Sequence, residues 1–180
     1  MLRTSVHFTA PLCAEALTEP LPPGEAGQVL VQTEVSAISA GTELLFYRGQ
    51  APADLPVDVS VGALSQEPPR YPLRYGYACV GHVVEIKAGV EPSWLGQRVF
   101  AFHPHTSHFW AAPADLLPVP DDLPSEHAAL LPNMETAVNL VMDGRPMLGE
   151  RVALVGQGVV GLLTLALLRQ FPLARLTAVD

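Results

Sequence analysis

The chain has 180 residues with 10 Lys and Arg against 18 Asp and Glu, a formal net charge of −8, and 49% of its residues are apolar. This composition excludes an intrinsically disordered chain, and the acidic balance without a basic cluster argues against binding to nucleic acid or to an anionic membrane surface. The two cysteines, Cys13 and Cys79, are too few for a disulfide framework or a four-cysteine zinc site and indicate reduced thiols.

The sequence shows no sign of a targeting or membrane-spanning segment. Its first residues lack the apolar stretch of a signal peptide. The longest uncharged apolar run, residues 152–168, is shorter than the roughly 20 residues that a spanning helix needs. A cytoplasmic protein without membrane contact is therefore the expectation.

Short strands separated by turns are predicted for residues 1–120. Alternating apolar residues predict a strand at 29–35, and further strands are predicted at 79–87, 97–102 and 109–112. The many prolines in this half forbid long central helices, and residues 49–71 are predicted to form one long loop.

Helical patterns begin after residue 120. A first helix is predicted over residues 125–131, ending at Pro132, and a second over residues 133–143, with Asn133 as its N-terminal cap and Gly144 just beyond its end. From Arg151 the pattern is a strand at 152–155, a glycine turn, a helix at 159–170 and a strand at 176–179. This order is typical of the start of a βαβ unit.

Gly156, Gly158 and Gly161 form a G-x-G-x-x-G motif between the predicted strand and helix, which is the context that a dinucleotide-binding turn requires. Gly156 permits the tight turn, and Gly161 lets the helix pack closely on the strand. Gly158 lets a pyrophosphate approach the backbone at the helix N-terminus, where Val159 and Val160 begin the helix. The motif therefore predicts a cofactor site.

Asp180 lies 24 residues after Gly156 (180 − 156), at the end of the second predicted strand. An acidic residue there accepts hydrogen bonds from the adenosine ribose and repels a 2′-phosphate, which favours NAD over NADP. The alternative is a glycine-rich turn that binds nothing. As the last residue, Asp180 is expected to be frayed.

A β-rich half that leads through two helices into a βαβ unit resembles the medium-chain dehydrogenase/reductase superfamily, the relatives of the zinc-type alcohol dehydrogenases. The local matches are Ala40-Gly41-Thr42-Glu43, Tyr75-Gly76-Tyr77-Ala78, Val80-Gly81, Val83-Val84-Glu85, Gly96-Gln97-Arg98-Val99 and residues 128–137. The resemblance implies a mixed β and α/β fold. It divides the chain into a GroES-like β-barrel catalytic domain (1–122), a helical connector (123–150) and the first βαβ unit of an incomplete Rossmann domain (151–180).

The resemblance implies an NAD(P)-dependent oxidoreductase that transfers hydride between nicotinamide and a carbonyl, alcohol or activated alkene of a small-molecule substrate. The alternative is a non-catalytic, truncated GroES-like binding module, because only two of the roughly six strands of a doubly wound sheet are predicted. Relatives often form dimers or tetramers, so a homo-oligomer stays open, as do the substrate and the reaction direction.

Zinc members of this family hold the catalytic metal at three positions that here are Ala40, Tyr77 and Asn133, all poor zinc ligands, and the four-cysteine lobe is missing. The resemblance therefore implies a member without zinc. Thr42 matches the hydroxyl that relays the substrate proton, and Thr136 matches the residue that contacts the nicotinamide. Tyr77 either donates a hydrogen bond to the substrate or fills a vacated metal pocket.

Three histidines, His103, His105 and His108, lie within six residues. They admit three interpretations: a zinc site, an acid/base or substrate contact for which His105 is the candidate, or a structural polar loop. Glu43 is expected to pair with an arginine, for which Arg48 is the nearest candidate.

Overall fold

The computed structural model describes residues 1–58, 61–64 and 66–180. These residues form two compact units, Met1–Ala129 and Leu130–Asp180. The elements of the described residues follow one another as β1 (Leu2–Ala10), β2 (Cys13–Pro20), β3 (Val29–Ser36), α1 (Thr42–Tyr47), β4 (Leu73–Arg74), β5 (Cys79–Ile86), β6 (Arg98–Ala101), β7 (His108–Ala111), β8 (Leu116–Pro118), α2 (Ser125–Ala128), α3 (Leu131–Gly144), β9 (Arg151–Val155), α4 (Val159–Leu168) and β10 (Arg175–Val179).

The larger sheet of the first unit has five antiparallel strands in the order β7-β3-β5-β6-β8. Apolar side chains from its strands meet in one core, where Val29, Val83 and Val99 are almost completely buried. At Gly81 the strands β3 and β5 approach so closely that a Cβ would lie 2.1 Å from the carbonyl oxygen of Gln32. The pairing therefore requires glycine at this position.

A smaller sheet in the order β2-β1-β4 packs with α1 around a second core of the first unit. The hairpin between β1 and β2 turns at Leu12, whose φ of 63° is left-handed. The buried members of this second core are Phe8, Phe46, Val57, Leu64, Leu73 and Tyr75. In the larger sheet, the start of β5 pairs with the end of β3, with Cys79 opposite Ser36.

The second unit contains α3, β9, α4 and β10. The strands β9 and β10 pair in parallel, with Arg151 opposite Arg175, and α4 connects them and packs against α3. A parallel pair needs such a crossover connection, because its strands run in the same direction. The predicted strand-turn-helix-strand order of residues 152–179 is thus present.

The helices around residue 130 differ from the prediction. The first helix, α2, ends already at Ala128, and α3 begins at Leu131, so that Pro132 lies in the first turn of α3 instead of ending a helix. Proline is favourable there because the first N–H groups of a helix have no intrahelical partner. Asn133 therefore lies inside the helix and is not its cap, and Gly144 is the last helical residue.

The described residues of the predicted loop 49–71 contain no helix or strand, while residues 59, 60 and 65 of that loop lie outside the described part of the chain. The strands predicted at 29–35, 79–87, 97–102 and 109–112 are present as β3, β5, β6 and β7. None of the helices in the described ranges combines the length and apolar character that crossing a bilayer requires.

Candidate functional site

The glycine motif forms the turn between β9 and α4 in the second unit. Gly156 has a φ of +94°, a left-handed conformation that favours glycine. A Cβ at Gly161 would lie 2.0 Å from the carbonyl oxygen of Gly156, so the helix begins this close to the turn only with glycine at that position. A Cβ at Gly158 would meet no described atom within 4 Å. The space beside Gly158 is therefore open to a ligand.

The side chain of Asp180 is hydrogen-bonded to this turn. The backbone N–H of Gln157 donates a hydrogen bond to Oδ1 of Asp180 over 2.9 Å, so the carboxylate has a defined place, although a frayed end is the expectation from the sequence. Val159 and Val160 begin α4, whose first turn has no side-chain cap. The N–H groups of an uncapped first turn can bind an anion. These groups suit the pyrophosphate and ribose of a dinucleotide.

Glu43, His105 and Ser36 form a buried hydrogen-bonded chain in the first unit. Glu43 is the second residue of α1 and 2% exposed, and its Oε1 accepts the backbone N–H of Ser39 over 2.8 Å. Its Oε2 lies 2.7 Å from Nε2 of His105, which is 6% exposed. The other ring nitrogen, Nδ1, hydrogen-bonds the hydroxyl of Ser36 at the end of β3. We call these three residues the relay.

The backbone around His105 holds its ring in place. The N–H of His105 donates to the carbonyl oxygen of Tyr75 over 3.2 Å, and its own carbonyl oxygen accepts the N–H of Val6 over 3.0 Å. Gly76 has a φ of +117°, and a Cβ there would lie only 2.6 Å from the imidazole ring. The ring therefore occupies space that exists because residue 76 is glycine.

One direction within the relay follows from chemistry. A carboxylate only accepts hydrogen bonds, so Nε2–H of His105 donates to Glu43. In a neutral ring Nδ1 then accepts the hydroxyl proton of Ser36, whereas in a protonated ring Nδ1–H donates to the Ser36 oxygen. A carboxylate, an imidazole and a hydroxyl in this order can move a proton between the hydroxyl and the ring.

The expected pairing of Glu43 with Arg48 is wrong. Arg48 is the exposed residue that follows α1, whereas the Glu43 carboxylate points inward to His105. The sequence also left Ser36 unnoticed, because simple alternation from Val29 onward places it on the opposite face from the buried residues. A register shift between Thr33 and Val35 in β3 changes that alternation, which is the effect of a β-bulge.

The other predicted catalytic residues lie near the relay in the chain without hydrogen-bonding to it. Thr42 is the exposed first residue of α1, directly before Glu43. Tyr77 follows Gly76 and is half-buried, with its ring edge-on to Tyr75 at a centroid distance of 6.1 Å. The structure thus places all three predicted catalytic residues, Thr42, Tyr77 and His105, in the first unit. Their catalytic roles stay predictions.

The remaining predicted residues lie in the second unit. Thr136 is exposed on α3, and its hydroxyl donates to the carbonyl oxygen of Pro132 over 3.0 Å. Of the positions matched to zinc ligands, Ala40 has no side-chain donor atom, and Tyr77 and Asn133 are weak ligands, so this donor set does not suit zinc. Within the described ranges, no group of three or more His, Cys, Asp or Glu side chains is placed to hold a metal ion.

The three clustered histidines face different partners. The ring of His103 stacks on Phe109 at a centroid distance of 3.9 Å, and its Nδ1 donates to the carbonyl oxygen of Pro104 over 2.9 Å. His108 contacts the hydroxyl of Ser107, and His105 belongs to the relay. Because their rings do not converge, the geometry does not support the zinc interpretation.

His103 makes stability depend on pH. Burial, reinforced by the charges of Arg74 and Arg3, lowers the pKa of His103 to about 4, whereas an exposed histidine titrates near 6.5. Between these values the unfolded chain binds the proton and the folded protein does not, so stability falls as the pH drops. We expect His103 to account for a loss of about 2 kcal/mol between pH 7 and pH 5.

Urea unfolding of the wild type and of His103→Gln at both pH values tests this expectation, since glutamine keeps a neutral donor but cannot titrate. The loss of stability on acidification should be smaller in the variant by about 2 kcal/mol. Equal pH dependence of the two proteins would contradict the assignment.

Comparisons with known proteins add to this geometry. No protein-family model matches the chain. A curated relative, the (R,R)-butanediol dehydrogenase of Bacillus subtilis (strain 168), is 29% identical over 175 residues, which is 82% of this chain and 49% of the relative. The chain therefore spans about half the length of the curated relative that it matches.

Two solved structures share the fold. A short chain alcohol dehydrogenase from E. coli CFT073 complexed with NADH has a TM-score of 0.77 and 17% identity, over 99% of this chain and 57% of that chain. The quinone oxidoreductase from Coxiella burnetii has a TM-score of 0.72 and 19% identity, over 98% of this chain and 56% of that chain. The chain therefore has the same fold as these two oxidoreductases, and the predicted mixture of sheet and helix is confirmed.

Proposed function

We propose that this chain belongs to an oxidoreductase of the medium-chain dehydrogenase/reductase type, which binds a nicotinamide dinucleotide at the glycine turn of the second unit. The turn supports the proposal most directly. Gly156 and Gly161 are required by the backbone, Gly158 leaves open space, and Asp180 stands beside them. The fold that the chain shares with an NADH-bound alcohol dehydrogenase and with a quinone oxidoreductase also supports the proposal.

The choice of cofactor follows from charge. Asp180 presents a carboxylate where the adenosine ribose of a dinucleotide would lie, and a carboxylate accepts hydrogen bonds from ribose hydroxyls while it repels a 2′-phosphate. The proposed cofactor is therefore NAD in preference to NADP. When bound, the nicotinamide supplies hydride transfer, and the protein contributes position and proton transfer.

The proposed reaction exchanges hydride with a carbonyl, alcohol or activated alkene of a small molecule without catalytic zinc. Without a metal, a side chain must take up or supply the proton that accompanies hydride transfer to oxygen. His105 is the group with the best-defined proton path, because Glu43 stabilises the charge that the imidazole would acquire. Thr42 and Tyr77 are proposed to contact the substrate, and Thr136 the nicotinamide.

Calorimetric titration with NADH and NADPH tests the cofactor assignment. We expect the protein to bind NADH more tightly than NADPH, and Gly158→Ala to weaken NADH binding at least ~10-fold, about 1.4 kcal/mol, because its methyl group would occupy the space of the pyrophosphate. Gly144→Ala is the matched control, since neither glycine has a described atom within 4 Å of its Cβ position.

Failure to bind either dinucleotide would contradict the assignment and favour the non-catalytic alternative. Metal analysis tests the zinc-free part separately, because about one zinc ion per chain would overturn that part alone.

A further inference from the structure

A cavity of about 650 Å³ lies within the first unit, and none of the three relay residues lines it. The rings of Phe102, His103 and Trp110 form part of its wall. Two arginines, Arg3 in β1 and Arg74 in β4, also line it, and we call this space the arginine cavity. Apolar walls with a few polar groups are typical of small-molecule sites.

The two arginines share one carboxylate. Nε of Arg3 donates to Oε1 of Glu19 over 2.9 Å, and the hydroxyl of Ser5 donates to the same oxygen over 2.9 Å. Nη1 of Arg74 lies 3.9 Å from that oxygen, which is beyond hydrogen-bond distance. Two cations therefore face one anion that already has two closer donors, and one positive charge is in excess.

Arg74 is the arginine without a close partner. Within the described ranges its guanidinium, which has five N–H donors, makes no hydrogen bond, and its Nε is buried. The side chain is only 30% exposed, and burial, together with the charge of Arg3, lowers the pKa of Arg74. A cation in this position is unfavourable because its lost hydration is not replaced. An anion in the arginine cavity would supply the missing acceptor.

The other ionisable groups at the wall do not neutralise this charge. Among the described residues, they are His103 and Asp115. Asp115 is exposed, so water and salt screen its carboxylate. His103 is neutral at pH 7, because burial and the charges of Arg74 and Arg3 lower its pKa to about 4. The positive charge of the arginines therefore acts inside the cavity.

We propose that the arginine cavity binds a small aromatic carboxylate, whose charged group is held by Arg74 and whose ring lies against Phe102 and Trp110. A monoanion fits because one positive charge lacks a partner, whereas a dianion would bring a second, unpaired charge into a half-buried place. The indole N–H of Trp110 donates to the carbonyl oxygen of Pro22 over 2.9 Å, so the flat surface is fixed before a ligand arrives.

The test compares 2-naphthoate with 2-naphthamide, which has nearly the same shape but no charge. Both are titrated calorimetrically into the 180-residue protein without any dinucleotide, so the outcome is independent of the cofactor experiment. We expect naphthoate to bind at least ~10-fold more tightly, because hydrogen bonds between charged groups are stronger than neutral ones. The net charge of the protein is −8, so attraction by the molecule as a whole cannot cause this preference.

NMR locates the bound compound. The ¹⁵N signals of the His103 ring should shift on titration, whereas those of His105, which does not line the arginine cavity, should stay unchanged. Ala114→Trp, which adds bulk at the cavity wall, should weaken binding of both compounds. Unchanged binding in this variant, or shifts at His105 in place of His103, would overturn the proposal.

Two arginine variants test the charge. Arg74→Gln should reduce the preference for naphthoate to about twofold or less, since glutamine keeps polar donors without the charge. Arg70→Gln, at an exposed arginine that does not line the arginine cavity, makes the same change in net charge and should keep the preference. A preference that persists in folded Arg74→Gln would overturn the proposal. Equal binding of the two compounds by the wild type, or no binding of either, would overturn it even if Arg74→Gln fails to fold.

Discussion

Replacing Glu43 with alanine should lower the free energy of unfolding by about 3–5 kcal/mol. The carboxylate accepts hydrogen bonds from the backbone N–H of Ser39 and from Nε2 of His105. Nε2 of His105 is buried and the N–H of Ser39 is part-buried, and alanine would leave both donors without this acceptor. The loss of one buried and one part-buried hydrogen bond, which leaves the buried ring of His105 without its partner, explains why the effect should exceed that of most substitutions.

Urea unfolding at pH 7 measures this effect. Glu43→Gln is the informative partner variant, because its amide oxygen can still accept one of the two hydrogen bonds, and we expect it to lose about half as much stability. Glu91→Ala, at an exposed acid, should change stability by no more than about 0.5 kcal/mol. If Glu43→Ala were as mild as this control, the buried role of Glu43 would be wrong.

Local patterns in the sequence predicted the glycine turn and most of the strands. Gly156, Gly158 and Gly161 are diagnostic because a tight turn and a close helix restrict residue type at each position. Apolar alternation likewise predicts β3, because Val29 and Val31, two residues apart, pack together in the core of the larger sheet. Such features are predictable because their physical cause lies within a few residues of the chain.

The N-terminal hairpin of β1 and β2 was not predicted. Every residue of β2 except Glu19 is exposed, so the apolar alternation that marks a half-buried strand is missing there. The hairpin is held by cross-strand contacts instead, such as the ion pair of Arg3 with Glu19 over 2.9 Å, which a search for apolar periodicity does not detect. Similarly, the sequence predicts that a helix ends at Pro132, although proline is equally favourable in the first turn of a helix, where the structure has it.

The relay was predictable only in part. The residue type of His105 makes it a candidate, but its partners are far away in sequence, 62 residues for Glu43 and 69 for Ser36. Contacts at such separations depend on strand register, and the bulge in β3 reverses the expected face of Ser36. One sequence therefore reveals the chemistry available but not which groups meet.

Gly76→Ala should be the second strongly destabilising substitution, with a loss of about 2–5 kcal/mol. Two costs add at this position. The φ of +117° is a conformation that residues with a Cβ rarely adopt, and the new methyl group would lie 2.6 Å from the ring of His105. The ring cannot move aside without breaking its hydrogen bonds to Glu43 and Ser36.

The substitution therefore tests the position of the ring and not only the strain of the backbone. We expect urea unfolding to show the loss of stability and the ¹⁵N signals of the His105 ring to shift in the same variant. Gly41→Ala is the matched control, because Gly41 has a φ of −83° and no described atom within 4 Å of its Cβ position. It should cost at most about 1 kcal/mol and leave the ring signals unchanged. Loss of stability in Gly76→Ala with unshifted His105 signals would show that strain alone acts there, and that the glycine does not make room for the relay.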